Sequence, residues 1–199
     1  MTRLVDRGAI AAAYVGIGMA VTMAISFLLV IPIEPIYWYL TVPAGLLIGY
    51  YANQRSDRRT GPWHRIVANA AFAGVATGVT LAVLLLGVKA LFFYADDGYR
   101  DPGLGGRIVI QRDDGRPIGC ATGADCVYQR YLDEGRGRDL QAAGVHDAAS
   151  FTGFYWSQQL ATAGLLFAIA AVGGTGGGIL YGLFRPKETR PGMVEARST

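Results

Sequence analysis

The charges of this chain fall in short clusters, and the stretches between them are apolar for the length of a bilayer crossing. Residues 8–33 carry no charge at all and predict a first transmembrane helix, because a bilayer core needs about 20 apolar residues. A secretory signal is the rival reading, since Arg3 and Arg7 make a basic start. The apolar run is far longer than a signal core of 7–15 residues, and no small-residue cleavage site follows it. Pro32, Glu34 and Pro35 then mark a tight turn, because proline does not continue a helix interior. Residues 36–53 predict a second, short span with a kink at Pro43; a re-entrant segment is the alternative at this length. A third span is predicted over 66–93 and a fourth over 151–184. The fourth exceeds a bilayer, so its first turns, around Tyr155 to Gln159, are expected to stand outside.

Between the third and fourth spans lies a polar stretch, 96–150, rich in Gly and Asp. Arg107–Gln111 reads as a short strand, Arg112–Gly115 as a turn and Arg116–Gly119 as a returning strand. Val127–Glu134 has the look of a short helix, and Gly135, Gly137 and Gly144 interrupt the residues after it. A segment this small builds no strong core alone, so it is expected to lean on helix ends or on a partner. These elements predict an all-α integral membrane protein. Its form is a four-transmembrane-helix bundle with a small, mostly irregular, disulfide-stapled extracytoplasmic loop and a polar tail over 185–199.

Charge sets the orientation. One set of loops holds Arg3, Arg7, Arg55, Arg58, Arg59, Arg65, Arg185, Lys187, Arg190 and Arg197 against Asp6, Asp57, Glu188 and Glu195. The 96–150 stretch holds ten acids and seven arginines. Cytoplasmic loops collect Lys and Arg, so both termini are expected in the cytoplasm and 96–150 outside the cytoplasmic membrane. Tyr and Trp favour the membrane interface. Tyr37–Tyr39, Phe92–Tyr94 and Phe154–Trp156 mark the outer ends, and Tyr50, Tyr51, Trp63 and Tyr181 the inner ones. Charged residues are only 17% of the chain against 52% hydrophobic, and the basic ones flank spans, so nucleic acid is not an expected partner.

Helices in lipid associate through close backbone approach, which small residues permit. The chain has 28 glycines, many of them inside spans. Gly74 and Gly78 form a G-x-x-x-G pair on the third span, and Gly173, Gly174, Gly177, Gly178 and Gly182 repeat that spacing on the fourth. These faces predict close packing of the third and fourth helices, while the first offers Ala11, Ala12, Gly16 and Gly18. The run Gly173–Gly178 has an alternative reading as a hinge or broken helix, since each glycine costs about 1 kcal/mol of helix propensity. Lys89 and Glu34 fall at similar depth at the outer side, either as an ion pair or each reaching water separately. Asn69 is expected to make an interhelical hydrogen bond.

Candidate chemistry is sparse. Cys120 and Cys126, the only cysteines, predict a disulfide in an oxidising compartment. Their five-residue separation is not the two-residue gap of thiol oxidoreductases. With His146 they fall short of four zinc ligands. The Asp96/Asp97 and Asp113/Asp114 pairs lack calcium-loop spacing. His64 and His146 are predicted on opposite sides, which precludes a paired haem site. No lysine, arginine or acid stands at a span centre, where proton pumps and ion-coupled transporters place them. No catalytic residue, cofactor or metal is therefore assigned. The expected function is non-catalytic: an accessory subunit or self-assembling scaffold in the lipid bilayer, partnered by other membrane subunits or by itself. An oligomeric channel or small transporter is the alternative, and an extracytoplasmic thiol-redox protein the second.

Overall fold

A computed structural model describes residues 5–29, 34–56, 61–95, 99–101, 106–108 and 123–185. Among the described residues six α-helices run in the order α1 (Arg7–Leu29), α2 (Glu34–Gln54), α3 (Trp63–Ala95), α4 (Ala124–Tyr131), α5 (Gly137–Ala142) and α6 (Ala148–Phe184). Strands β1 (Tyr99–Asp101) and β2 (Gly106–Ile108) lie between α3 and α4 and pair antiparallel, with Arg100 opposite Arg107.

Three of the described helices are long and apolar enough to cross a membrane: α1 over Arg7–Ser26, α3 and α6. At 1.5 Å per residue, the 37 residues of α6 extend roughly 55 Å, well beyond a bilayer core. Helix α2 is continuous through Pro43 but is not among the three. Its four tyrosines, Trp38 and two prolines lower its apolar character, although Tyr and Trp are the residues that membrane interfaces favour.

Helix starts explain where the observed elements exceed the apolar runs. Pro62 accepts from the N–H groups of Arg65 and Ile66 (3.0 and 3.4 Å), so α3 begins at Trp63, three residues before the run expected from hydropathy. Asp147 caps α6, which therefore begins at Ala148 rather than at Phe151. Its carboxylate accepts the Ser150 N–H at 2.7 Å, and the Ser150 hydroxyl accepts the Asp147 N–H at 3.2 Å, a reciprocal capping box.

Two compact units share these helices: Met1–Ala82 with Leu165–Thr199, and Val83–Gly164. In the first, Ala9 and Ala12 of α1 pack with Ile48 and Ala52 of α2 and with Ala73 of α3. The core of the second is aromatic. Phe93, Leu140, Val145, Phe151 and Tyr155 are buried together, with Tyr128, Tyr131, Phe154 and Trp156 around them. The α4–α5 part of the segment between α3 and α6 thus rests on the ends of those helices. The described residues of that segment include α4, α5, β1 and β2. The strand signal at Arg107 appears as β2, but its partner among the described residues is the upstream Tyr99–Asp101. The returning strand expected at 116–119 lies outside the described residues. Gly135 and Gly144 adopt positive φ, 77° and 75°, a backbone conformation glycine enters freely; they bend the chain after α4 and after α5.

Candidate functional site: the small-residue helix junction

Helix α6 runs unbroken through Gly173–Gly178, and two helices press on its bare backbone within the first unit. A β-carbon on Gly74 of α3 would stand 2.8 Å from the Ala170 carbonyl oxygen and 3.0 Å from the Gly174 α-carbon. Gly78 opposes the Phe167 carbonyl at 3.0 Å on the same measure, and Gly178 faces the Ala70 methyl. On the adjacent side of α6, Gly45 of α2 opposes the Ala170 carbonyl at 3.1 Å, Gly49 meets Gly174, and Gly177 meets Leu46. Side chains larger than hydrogen would hold these backbones apart, and in lipid such contact supplies the association energy. The Gly45/Gly49 pair is a contributor that sequence reasoning misses. Its signal is the same four-residue spacing, placed in a short span.

Gly182 serves another contact. The Trp63 indole lies against it, and the Arg185 guanidinium sits 5.7 Å from the Trp63 ring centre while donating to the Gly61 carbonyl at 2.5 Å. Tyr50 and Tyr181 meet edge to face beside it, 5.4 Å apart.

Polar groups knit the same end of this unit. Asp6 caps α1: its Oδ1 accepts the Ala9 N–H at 3.1 Å, and its Oδ2 accepts the Ser56 hydroxyl. The Asp6 N–H donates to Asn69 Oδ1 at 3.2 Å, so Asn69 bonds the residue preceding α1. Asn53, 1% exposed, donates to the carbonyl oxygens of Ile66 (3.0 Å) and Gly49 (3.2 Å). Three helices are thereby tied at one end by buried or half-buried hydrogen bonds. In the sequence, Asp6, Asn53 and Ser56 register only as loop or span-end polarity; the Asp-x-x-Ala start before an apolar run is the signal that marks the cap.

Cys126 is buried on α4 and is not a free thiol; the Arg130 guanidinium approaches its sulfur at 3.7 Å. Cys120 lies outside the described residues, as do the Asp113/Asp114 pair, Asp96 and Asp97. Lys89 is half-buried on α3; the Glu34 side chain lies outside the described atoms, and so does any pairing between them. Among the described residues no three His, Cys, Asp or Glu side chains converge as metal ligands would.

Helix α1 has two faces. Ala9, Ala12, Ala13, Gly16 and Ala20 turn inward, with Gly16 held against Thr77 of α3. Ala11, Gly18 and Thr22 are exposed, and a β-carbon at Gly18 would meet nothing within 4 Å. No known protein family, curated protein or solved structure matches this chain.

Proposed function

We propose that this chain is a non-catalytic multi-pass protein of the cytoplasmic membrane that works by helix–helix association, as an accessory subunit of a membrane complex or as a self-assembling scaffold. In this reading all four of α1, α2, α3 and α6 span the bilayer. Both termini are cytoplasmic, 96–150 is extracytoplasmic, and Cys120–Cys126 staples that segment. Burial of Cys126 supports a structural rather than a redox sulfur, because reactive thiols are partly exposed.

The observation that carries the proposal is the outward stripe of α1. The glycines of α2, α3 and α6 that oppose one another are spent within the chain, whereas Ala11, Gly18 and Thr22 leave room for a second helix. Tyr14, Val15, Val21 and Ile25 border that stripe and are exposed. Small residues flanked by apolar ones are what transmembrane interfaces use.

Native mass spectrometry of the protein extracted in mild detergent tests this, with Gly18→Leu as the probe. Association with other subunits or with itself is expected, lost in Gly18→Leu while the monomer keeps its unfolding midpoint. A wild-type protein found only as monomer overturns the proposal. A closed homo-oligomer that conducts ions in liposomes would move the reading to a channel.

A further inference from the structure

Each of the four long helices brings one arginine to the same end of the first unit. Arg7 opens α1, Arg55 follows α2, Arg65 lies in the first turn of α3, and Arg185 follows α6. Described contacts hold these ends together. A β-carbon on Gly8 would stand 2.5 Å from the Arg55 carbonyl carbon; Asn53 donates to the Ile66 carbonyl; Arg185 lies over Trp63. The one carboxylate described at this end, Asp6, is already engaged by Ser56 and by the Ala9 N–H. The positive charge therefore has little internal compensation among the described residues.

An apolar wall adjoins this charge. Trp63 is 43% exposed beneath Arg185, and beside the Gly182 that it covers Ile179 and Leu183, four residues apart on α6, are exposed at 43% and 65%. A guanidinium stacked over an exposed indole, with exposed aliphatic groups beside it, matches an amphiphile with an anionic head. Free anions have no use for the wall, and nucleic acid has no alkyl chains to lay along it.

We propose that this arginine collar is a binding site for anionic phospholipid. The lipid phosphate sits between Arg65 and Arg185, its glycerol region meets the Trp63 indole, and its chains follow Ile179 and Leu183. Arg7 and Arg55 extend the field around the rim. Basic residues at a membrane surface attract anionic lipid in this way. The inference rests on the membrane-spanning reading above.

The test is lipid retention by the purified full chain in nanodiscs of equal phosphatidylglycerol and phosphatidylcholine, read by native mass spectrometry after release. Wild type is expected to retain phosphatidylglycerol preferentially. Arg65→Gln and Arg185→Gln should each lower that preference about fivefold, the effect of one basic residue near an anionic surface. Arg185→Lys should keep most of it, and so separates lost charge from a lost Trp63 contact. Equal retention of both lipids by wild type overturns the proposal, as does a preference unchanged in both glutamine variants. Displacement of phosphatidylglycerol by millimolar inorganic phosphate also overturns it, by assigning the site to a free anion. Failure of the chain to enter nanodiscs at all would instead overturn the membrane-spanning reading.

Discussion

Gly174 of α6 and Gly74 of α3 meet backbone against backbone: a β-carbon on Gly174 would stand 2.7 Å from the Gly74 α-carbon and 3.0 Å from the Ala70 carbonyl oxygen. Both obstacles are main chain, so neither can swing aside, and the helices themselves would have to separate. Gly174→Ala is therefore expected to destabilise the protein by about 1–3 kcal/mol, the usual cost of overpacking a filled interior. Gly164, on the same helix with nothing within 4 Å of its β-position, is the control. Gly164→Ala should be neutral or up to about 1 kcal/mol stabilising. Thermal unfolding in detergent, followed by far-ultraviolet circular dichroism, compares the two. Equal midpoints would show that the α3–α6 approach is not a stabilising contact.

Asp6 joins three elements through one carboxylate and one N–H. Replacing it with alanine removes the α1 cap and leaves the Ser56 hydroxyl without its acceptor. The cap alone contributes about 1 kcal/mol, with a range of roughly 0.5–2. Asp6→Asn keeps an oxygen for the Ala9 N–H and should lose less than Asp6→Ala. Denaturant unfolding of both variants checks the order; a larger loss in Asp6→Asn would contradict the capping role.

Asp147 gives a pH dependence with a definite sign. The Ser150 hydroxyl, then the Ser150 and Ala149 N–H groups, hold its carboxyl below the usual 3.8. A carboxyl lowered on folding contributes stability that is complete above its unfolded value and is lost as pH falls through the lowered folded value. The first turn of α6 should hence stay ordered at pH 5 and loosen only as pH falls below 3.8. Carbon-detected magnetic resonance titration of Asp147 reads the midpoint directly. Ser150→Ala removes the hydroxyl bond and should raise that midpoint toward the usual value; an unmoved midpoint would contradict the assignment.

Gly135 tests backbone strain without steric clash. Its φ is 77°, yet a β-carbon there would meet nothing within 4 Å. Gly135→Ala should cost about 1–2 kcal/mol, the left-handed penalty of an L-residue. Amide exchange across α4 and α5 would report it as faster opening of that unit, and unchanged exchange would show that the bend is not required.

Legibility in the sequence differs from element to element. Apolar run length alone locates α1, α3 and α6, because no soluble core needs such uninterrupted stretches. Their ends are displaced where a local group overrides hydropathy: Pro62 starts α3 early, and the Asp147–Ser150 box starts α6 early. The four-residue glycine spacing on α3 and α6 is visible as a pattern. Which glycines oppose which is not, because spacing defines a face and not its partner. Tertiary structure alone brings Gly45 and Gly49 of α2 onto α6 and turns Gly18 of α1 outward. It also gathers Asp6, Ser56 and Asn69 from three distant places in the chain. Those hydrogen bonds and backbone contacts are decided by how helices cross, and crossing depends on every face at once, which no single segment of sequence contains.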